Sequence, residues 1–316
     1  MKVIAHLVAG GCAAALVLSG CTRPDVPGPQ LASDTQIESA QAALIVDETA
    51  IAMRWNERLA PFTIIDNVHF IGTHGLGVFL ITTPQGHILI DGAMAQSVPQ
   101  ILDNIRALGF DPRDIKYLLN THAHYDHAAG LAGLQRASGA VMIASAADRP
   151  YLEAGAVDHG PTSDTPFPPV RVDRVVGDGD TVALGGTTLT ALLTPGHSPG
   201  CTSWTLTAKD SRGDPRRVFL HCSASLGGQS LVPEAYPGMV DSYRTTFAKV
   251  SQMQADVFLA NHDIFFDLHA KRARQLAGNK DAFVDSAELQ RFNTQMEQAF
   301  AKALIEQQAA QAGSAQ

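Results

Sequence analysis

Two hydrophobic spacings alternate along residues 34–316. Short apolar runs bounded by glycine, proline or asparagine predict β-strands, whereas apolar residues that recur every three or four positions predict amphipathic helices. The runs that predict strands cover residues 68–73, 78–82, 87–91, 114–119, 139–144, 170–176, 181–184, 188–193, 202–207, 217–221 and 257–260. The chain is therefore expected to contain many short strands, one group in its first half and another in its second half.

Helical spacing occurs in residues 34–53, 97–108 and 285–304, and residues 128–134 have the composition of a helix start. Ser97 and Gln100 resemble the capping box that opens many helices. Strands, then a helix, then a further strand fit a β-sandwich with helices outside. Because both halves also lead strands into histidine-bearing loops, we predict a four-layer αββα sandwich of the α+β class. Residues 34–316 would form it as a single domain.

Residues 150–169 are rich in proline and glycine and show no hydrophobic period. A loop of this length inside a domain is usually functional or mobile. We therefore expect this segment to flank a cleft.

The densest chemistry lies in residues 120–127, Asn-Thr-His-Ala-His-Tyr-Asp-His, between a predicted strand and a predicted helix start. Side chains at such a turn stand at the edge of a sheet, where α/β proteins place their sites. Imidazole nitrogen and carboxylate oxygen are preferred zinc ligands. His122 and His124 can share one face, while Asp126 and His127 point elsewhere. The turn therefore predicts two adjacent metal sites rather than a solvated, histidine-rich loop.

Two later histidines also follow predicted strands. His197 lies on a glycine- and proline-containing turn after residues 188–193, and His262 follows residues 257–260. His74 and His159 lie in glycine-containing loops and are weaker candidates for a cleft wall. His269 falls in a helix-like run and is expected to be solvated.

His-x-His-x-Asp-His is the signature of the metallo-β-lactamase superfamily, and the chain resembles that family over about residues 34–316. The resemblance implies the αββα fold and two zinc ions. It assigns the first ion to His122, His124 and His197, and the second to Asp126, His127 and His262.

The segment after the strand that ends at Leu220 separates the family's branches. Its sequence is His-Cys-Ser-Ala-Ser, with Ser223 at the position aligned to a ligand and Ser225 two residues beyond, which resembles subclass B3 metallo-β-lactamases. The resemblance implies that both serines bind substrate or water; the alternative is an ordinary polar turn. A slip of one residue would make Cys222 a metal ligand instead. Lactonase-type and glyoxalase-type hydrolases are expected to carry aspartate there, and none occurs between Asp214 and Asp241.

The resemblance implies hydrolysis of the β-lactam amide by a zinc-bound hydroxide, with Asp126 orienting that hydroxide and binding metal. A small-molecule β-lactam would be the substrate, and resistance to β-lactams the consequence. One alternative is a two-zinc hydrolase of the same fold that acts on a lactone or thioester. The other is a zinc-binding lipoprotein without enzymatic activity, although a storage or structural site would close the coordination positions that this set leaves open.

Composition narrows the partners. The chain has 316 residues and is 45% hydrophobic, enough for a full core. It carries 23 basic and 31 acidic side chains, a formal charge of −8, without a basic block. Nucleic acid is therefore not an expected partner, and we expect a monomer.

Residues 1–20 resemble a lipoprotein signal peptide. A short apolar region ends in Leu18-Ser19-Gly20-Cys21, like a bacterial lipobox, so that Cys21 would be lipidated and residues 21–33 would act as a tether; ordinary signal cleavage is the alternative. By analogy, Thr22 favours the outer membrane, and the expected location is the periplasm. An oxidising compartment favours a disulfide between Cys201 and Cys222 over two buried thiols.

Overall fold

Two β-sheets form the centre of the structure, a computed structural model that describes residues 55–314. The described residues all belong to one of the chain's two units, residues 31–316. The signal peptide, the tether and the helix of residues 34–53, all predicted from the sequence, lie outside the described residues. Within residues 55–314, no helix has the length and apolar character that crossing a membrane requires.

The first sheet has seven strands, and its first three neighbouring pairs are antiparallel while the last three are parallel. In spatial order, its strands are β1 (Phe62–Ile65), β2 (Val68–Phe70), β3 (Phe79–Thr83), β4 (Gly86–Ile90), β5 (Ile115–Leu119), β6 (Val141–Ser145) and β7 (Arg174–Val176).

The second sheet has five strands, all antiparallel to their neighbours except for the parallel pair that forms one edge. In spatial order, its strands are β12 (Val257–Ala260), β11 (Pro215–His221), β10 (Thr202–Lys209), β9 (Thr187–Leu193) and β8 (Thr181–Leu184).

Seven α-helices and three 3₁₀ helices lie within the described residues. The α-helices are α1 (Val98–Ala107), α2 (Tyr125–Ala128), α3 (Leu131–Ser138), α4 (Arg149–Ala154), α5 (Met239–Ser251), α6 (Leu268–Leu276) and α7 (Glu288–Ser314). The 3₁₀ helices are Ala95–Ser97, Pro112–Asp114 and Asp263–Phe266.

Side-chain alternation along the strands divides the core into layers. In β3, Phe79 and Ile81 join the core shared with the second sheet, α5 and α7, whereas Leu80 joins the core beneath α1 and α3. Because successive strand residues face opposite sides, a fully apolar strand buries both faces. The αββα sandwich expected from the sequence is confirmed.

Four local expectations need correction. The capping box at Ser97 is wrong, since its hydroxyl makes no cap bond and donates instead to Asn56 Oδ1. The strand expected at residues 170–176 is limited to β7. Residues 150–169 contain all but the first residue of α4 as well as loop. Helix α5 was not predicted, although its buried Met239, Tyr243, Phe247 and Val250 recur at helical spacing.

Candidate metal centre

All six side chains predicted as ligands lie at one edge of the sandwich. The turn after β5 carries four of them, from His122 to His127. The loop after β9 carries His197. His262 lies two positions beyond the end of the edge strand β12. The neighbouring strands β4 and β5, like β11 and β12, run parallel, so their carboxyl ends meet at the same edge.

Three imidazoles face one another in the first group. His122 Nε2 lies 3.0 Å from His124 Nδ1, and the ring of His197 lies 4.7 Å from each of the other two rings, centre to centre. One nitrogen from each ring falls within 4.8 Å of the others, and all three residues are buried. This group can surround a single small cation.

Asp126, His127 and His262 form a tighter triangle. Asp126 Oδ2 lies 3.1 Å from His127 Nε2 and 3.4 Å from His262 Nε2, and the two nitrogens are 3.2 Å apart. Ligands about 2.0–2.1 Å from a tetrahedral zinc are separated by roughly 3.3 Å. The second triangle thus has the dimensions of three zinc ligands with a fourth position open.

The electrostatics of both groups suit a metal. Burial, with the neighbouring histidines, lowers the pKa of His122 and His124 well below its usual value, and burial lowers the pKa of His197 to about 4. Burial would raise the pKa of Asp126, but His127 and His262 outweigh it and hold that pKa well below its usual range. Neutral imidazoles beside an ionised carboxylate are the protonation states that bind divalent metal. Burial would lower the pKa of His127, but Asp126 and Asp91 outweigh it and raise that pKa, so a metal bound there would displace a proton from this ring. The donors therefore fit zinc.

Asp91, which the sequence did not single out, supports the turn of the first sheet. Its carboxylate accepts from the Thr121 amide at 2.7 Å, the Thr121 hydroxyl at 2.7 Å and Asn120 Nδ2 at 3.1 Å, and its Oδ2 lies 3.9 Å from His127 Nδ1. Burial raises its pKa to about 6. In the sequence, the one detectable signal is an acidic residue directly after the apolar run Ile88-Leu89-Ile90. In the structure, the backbone of Asp91 has a φ of +65°.

The histidines of the second half are oriented by backbone carbonyls. His197 Nδ1 lies 2.7 Å from the Ser225 carbonyl oxygen, which also accepts from the Tyr243 hydroxyl at 2.6 Å. His262 Nδ1 lies 3.2 Å from the Gly75 carbonyl oxygen. An N–H directed at a carbonyl fixes the tautomer, leaving Nε2 of each ring free for metal.

Tryptophans stand on two sides of the centre. Trp204 is fully buried and donates from Nε1 to the Asn120 carbonyl at 3.2 Å, which ties the second sheet to the turn that begins at residue 120. The ring of Trp55 lies 5.5 Å from that of His262.

Cys201 and Cys222 form a disulfide with their Cα atoms 5.7 Å apart. Cys222 Sγ lies 3.7 Å from His122 Nδ1, the nitrogen on the side of the ring opposite the one that faces His124. Its sulfur has no thiolate to offer, so this geometry disfavours the alternative in which Cys222 is a ligand.

A cleft of about 790 Å³ opens onto the centre. Ser225 lines it, whereas Ser223 is buried and contacts the Ser225 hydroxyl at 3.3 Å. Pro161 and Thr162 of the predicted loop flank the cleft, as expected. Its wall includes four of the six candidate ligands, namely His124, Asp126, His197 and His262.

The other histidines have separate surroundings. His74 lines the cleft, whereas His159 is buried, with its ring 6.2 Å from that of His124. His221 is buried beside the ring of Phe292, and its Nδ1 lies 3.0 Å from the Ser203 hydroxyl. His269 is about half exposed and lies at the mouth of the cleft.

Comparison with known proteins agrees with this geometry. Residues 78–210 match the model of the metallo-β-lactamase superfamily. The chain is 45% identical to BJP-1, a subclass B3 metallo-β-lactamase of Bradyrhizobium japonicum, with a TM-score of 0.78 over 81% of this chain and 98% of that one. The chain belongs to the metallo-β-lactamase superfamily. The resemblance drawn from the sequence is thereby confirmed.

Other members of the superfamily show both likeness and breadth. The FEZ-1 metallo-β-lactamase of Legionella gormanii is 35% identical, with a TM-score of 0.77 over 80% of this chain and 98% of its own. The N-acyl homoserine lactonase AttM of Agrobacterium fabrum is 28% identical over 209 residues, 58% of this chain and 77% of its length. The present chain, as a member of this superfamily, is a metal-dependent hydrolase, and its family uses zinc.

Proposed function

We propose that this metallo-β-lactamase superfamily member hydrolyses the amide bond of β-lactams with two zinc ions bound at the cleft. His122, His124 and His197 would hold the first ion, and Asp126, His127 and His262 the second. The proposal is supported by the two groups of donors described above, each with the spacing of ligands around one ion, and by the likeness to solved metallo-β-lactamases at 35–45% identity.

The observation that carries the choice of substrate is the donor set after β11. Hydrolases of the lactonase or glyoxalase type are expected to place aspartate in this segment. Here the segment carries a cysteine closed in a disulfide and then Ser223 and Ser225, of which Ser225 faces the cleft. With no aspartate in this segment, the second group consists of Asp126, His127 and His262 alone.

Bound zinc lowers the pKa of water to about 7 and polarises a carbonyl oxygen, so that it supplies both a nucleophile and an electrophile at neutral pH. The chain's own residues arrange that chemistry. Asp126 remains ionised at neutral pH and lines the cleft, where its carboxylate can accept a hydrogen bond from the attacking water. The Ser225 hydroxyl stands on the same wall and can donate to the carboxylate of a β-lactam.

Lactone or thioester hydrolysis is the second candidate, because the matched sequences include lactonases. The discriminating experiment measures the purified protein in parallel on a penicillin, a carbapenem, an N-acyl homoserine lactone and S-lactoylglutathione, each with and without chelator. We expect chelator-sensitive turnover that is greatest on the lactams. Turnover greatest on the lactone or the thioester would replace the proposal, and turnover indifferent to chelator would remove the metal from it.

We further propose that the protein is an exported, monomeric lipoprotein of the periplasm, anchored through Cys21 to the outer membrane. The disulfide between Cys201 and Cys222 suits an oxidising compartment. Mass spectrometry of the protein from membranes should find a lipidated amino terminus at Cys21. Cys21→Ser should release soluble protein or block processing, and a conventionally cleaved, unlipidated terminus would contradict the anchor.

A further inference from the structure

A third group of potential metal ligands, the rim group, lies on the rim of the cleft, apart from the six side chains of the centre. It consists of His74, Asp263 and His269, each of which offers one ligand atom within 4.8 Å of the others. In the sequence, His74 is a weaker candidate for the cleft wall, and Asp263 has no predicted role. The group joins the loop after β2 to the 3₁₀ helix after β12 and to α6.

The distances within this group bracket those of a zinc site. His269 Nε2 lies 2.8 Å from Asp263 Oδ2, and His74 Nδ1 lies 3.9 Å from the same oxygen. The two imidazole rings stack at 4.5 Å, centre to centre. Ligand atoms of a tetrahedral zinc are roughly 3.3 Å apart, so small rotations of both the His74 and the His269 rings, each partly exposed, would bring the three donors to that spacing.

The charge of Asp263 also favours a cation. Its side chain is only 2% exposed, and the ion-pair partners found for it among the described residues are His74 and His269. Burying a carboxylate is costly unless a positive charge or strong hydrogen bonds compensate. The Gly75 amide supplies one such bond at 2.8 Å, and a divalent ion held by the two imidazoles would supply the charge.

The rim group is coupled to the main centre through one residue. Gly75 donates its N–H to Asp263, and its carbonyl oxygen lies 3.2 Å from His262 Nδ1. Asp263 also follows His262 directly in the chain. An ion at the rim would therefore sit beside the second metal group and inside the cleft wall, where it would narrow the approach to the centre.

We propose that His74, Asp263 and His269 bind a further divalent cation of the zinc class, distinct from the two ions of the catalytic centre. Two of its three ligands, His74 and His269, are partly exposed, whereas the ligands of the centre are largely buried, so the site fills at higher metal concentration than the centre. Its occupation reduces turnover because the bound ion stands in the path of the substrate.

The experiment counts zinc by equilibrium dialysis and elemental analysis of the full mature chain, first stripped with chelator and then titrated with zinc alone. His74→Ala and His269→Gln test the site, and glutamine keeps an N–H donor for Asp263. Asp267→Asn is the matched control, because it removes a nearby exposed charge without removing a ligand. We expect one weaker equivalent of zinc in the wild type and in Asp267→Asn, and its loss in both histidine variants.

Two arms separate this site from the proposed catalytic centre. In His122→Ala the tightly held zinc should fall while the weaker equivalent persists. Turnover of each protein in excess zinc, divided by its own turnover at the zinc concentration that just fills the centre, should fall for the wild type and stay level for His74→Ala and His269→Gln. A weaker equivalent that survives both histidine substitutions, or no zinc beyond the centre in the wild type, would overturn the proposal whatever substrate the enzyme takes.

Discussion

Two regions supply the candidate metal centre, and they are built differently. The turn after β5 contributes His122, His124, Asp126 and His127 from six consecutive positions, and buried Asp91 holds that turn through three hydrogen bonds. The second half contributes His197 and His262 from separate loops, each oriented by one carbonyl oxygen. The first region is a single preorganised unit, whereas the second is assembled by the packing of several elements. A substitution in the first region is therefore expected to disturb more of the metal ligands than a substitution in the second region.

The largest effect is expected from His122→Ala. His122 belongs both to the group with His124 and His197 and to a group with Asp126 and His127, so its removal disturbs both metal positions. Loss of metal-supplied stabilisation of several kcal/mol predicts a fall in kcat/KM of about 10³-fold or more. Elemental analysis and nitrocefin turnover measure it, and His262→Ala is the matched variant from the second region. Undiminished turnover in His122→Ala would defeat the ligand assignment.

Next in size is the effect of removing the disulfide of the second region, which joins the residue before β10 to the residue after β11. Its two cysteines are 21 positions apart, and closing a loop of that size contributes about 3 kcal/mol. The double variant Cys201→Ala, Cys222→Ala should lose that amount in urea unfolding, while keeping turnover at 25 °C. Reductant should lower the stability of the wild type only; an equal loss in the variant would point to another cause.

Asp91→Asn tests the support of the first region. Asparagine also tolerates the positive φ found at this position, so the change removes charge rather than shape. Loss of such a supporting carboxylate lowers metal affinity or activity by about 10–100-fold. Zinc competition with a chelating dye and kcat/KM both report it.

The same substitution has a pH dependence. Burial raises the pKa of Asp91 to about 6, so the wild type carries the charge above that pH and loses it as the pH falls through 6. The ratio of wild-type to variant activity should therefore be greatest above pH 6 and shrink below it. A ratio that does not change with pH would show that hydrogen bonding, not charge, accounts for the role of Asp91.

The smallest effect is expected from Tyr243→Phe. Tyr243 shares the Ser225 carbonyl with His197, and a single hydrogen bond of this kind contributes about 1 kcal/mol. We expect a few-fold fall in kcat/KM with little change in zinc content. Tyr236→Phe, which removes a hydroxyl bonded to the Gly196 carbonyl, serves as the control. An effect as large as that of Asp91→Asn would erase the difference between the two regions.

The same contrast explains what could be predicted from the sequence. The strand periods and the contiguous cluster at 122–127 are local properties, so the sandwich and the first region could be predicted from them. The pairing of His197 and His262 with that cluster depends on long-range packing and was predicted through family resemblance. Asp91 was missed because its carboxylate acts across a strand pair, from β4 to the turn after β5, and no spacing along the chain reveals that contact.

The rim group could not be predicted from the sequence for a similar reason. His74 and His269 are nearly 200 positions apart, and the residue between them in space, Asp263, reads as an ordinary polar residue next to a ligand. Periodicity shows which side chains share a face of one element, but not which loops meet above two sheets. The wrong prediction at Ser97 has the same origin. Its hydroxyl donates a hydrogen bond to Asn56, which is distant in the sequence, instead of capping the helix that follows it.

The chain contains only two tryptophans, and both belong to this end of the molecule: the indole of Trp204 bonds the backbone that leads into the histidine turn, and the indole of Trp55 lies against His262. Ultraviolet emission of the unlabelled protein therefore comes from chromophores that sense the site from two sides. Titrating metal or a slow inhibitor into a cuvette should change that emission directly, and phenylalanine at one position or the other would assign each signal to its side.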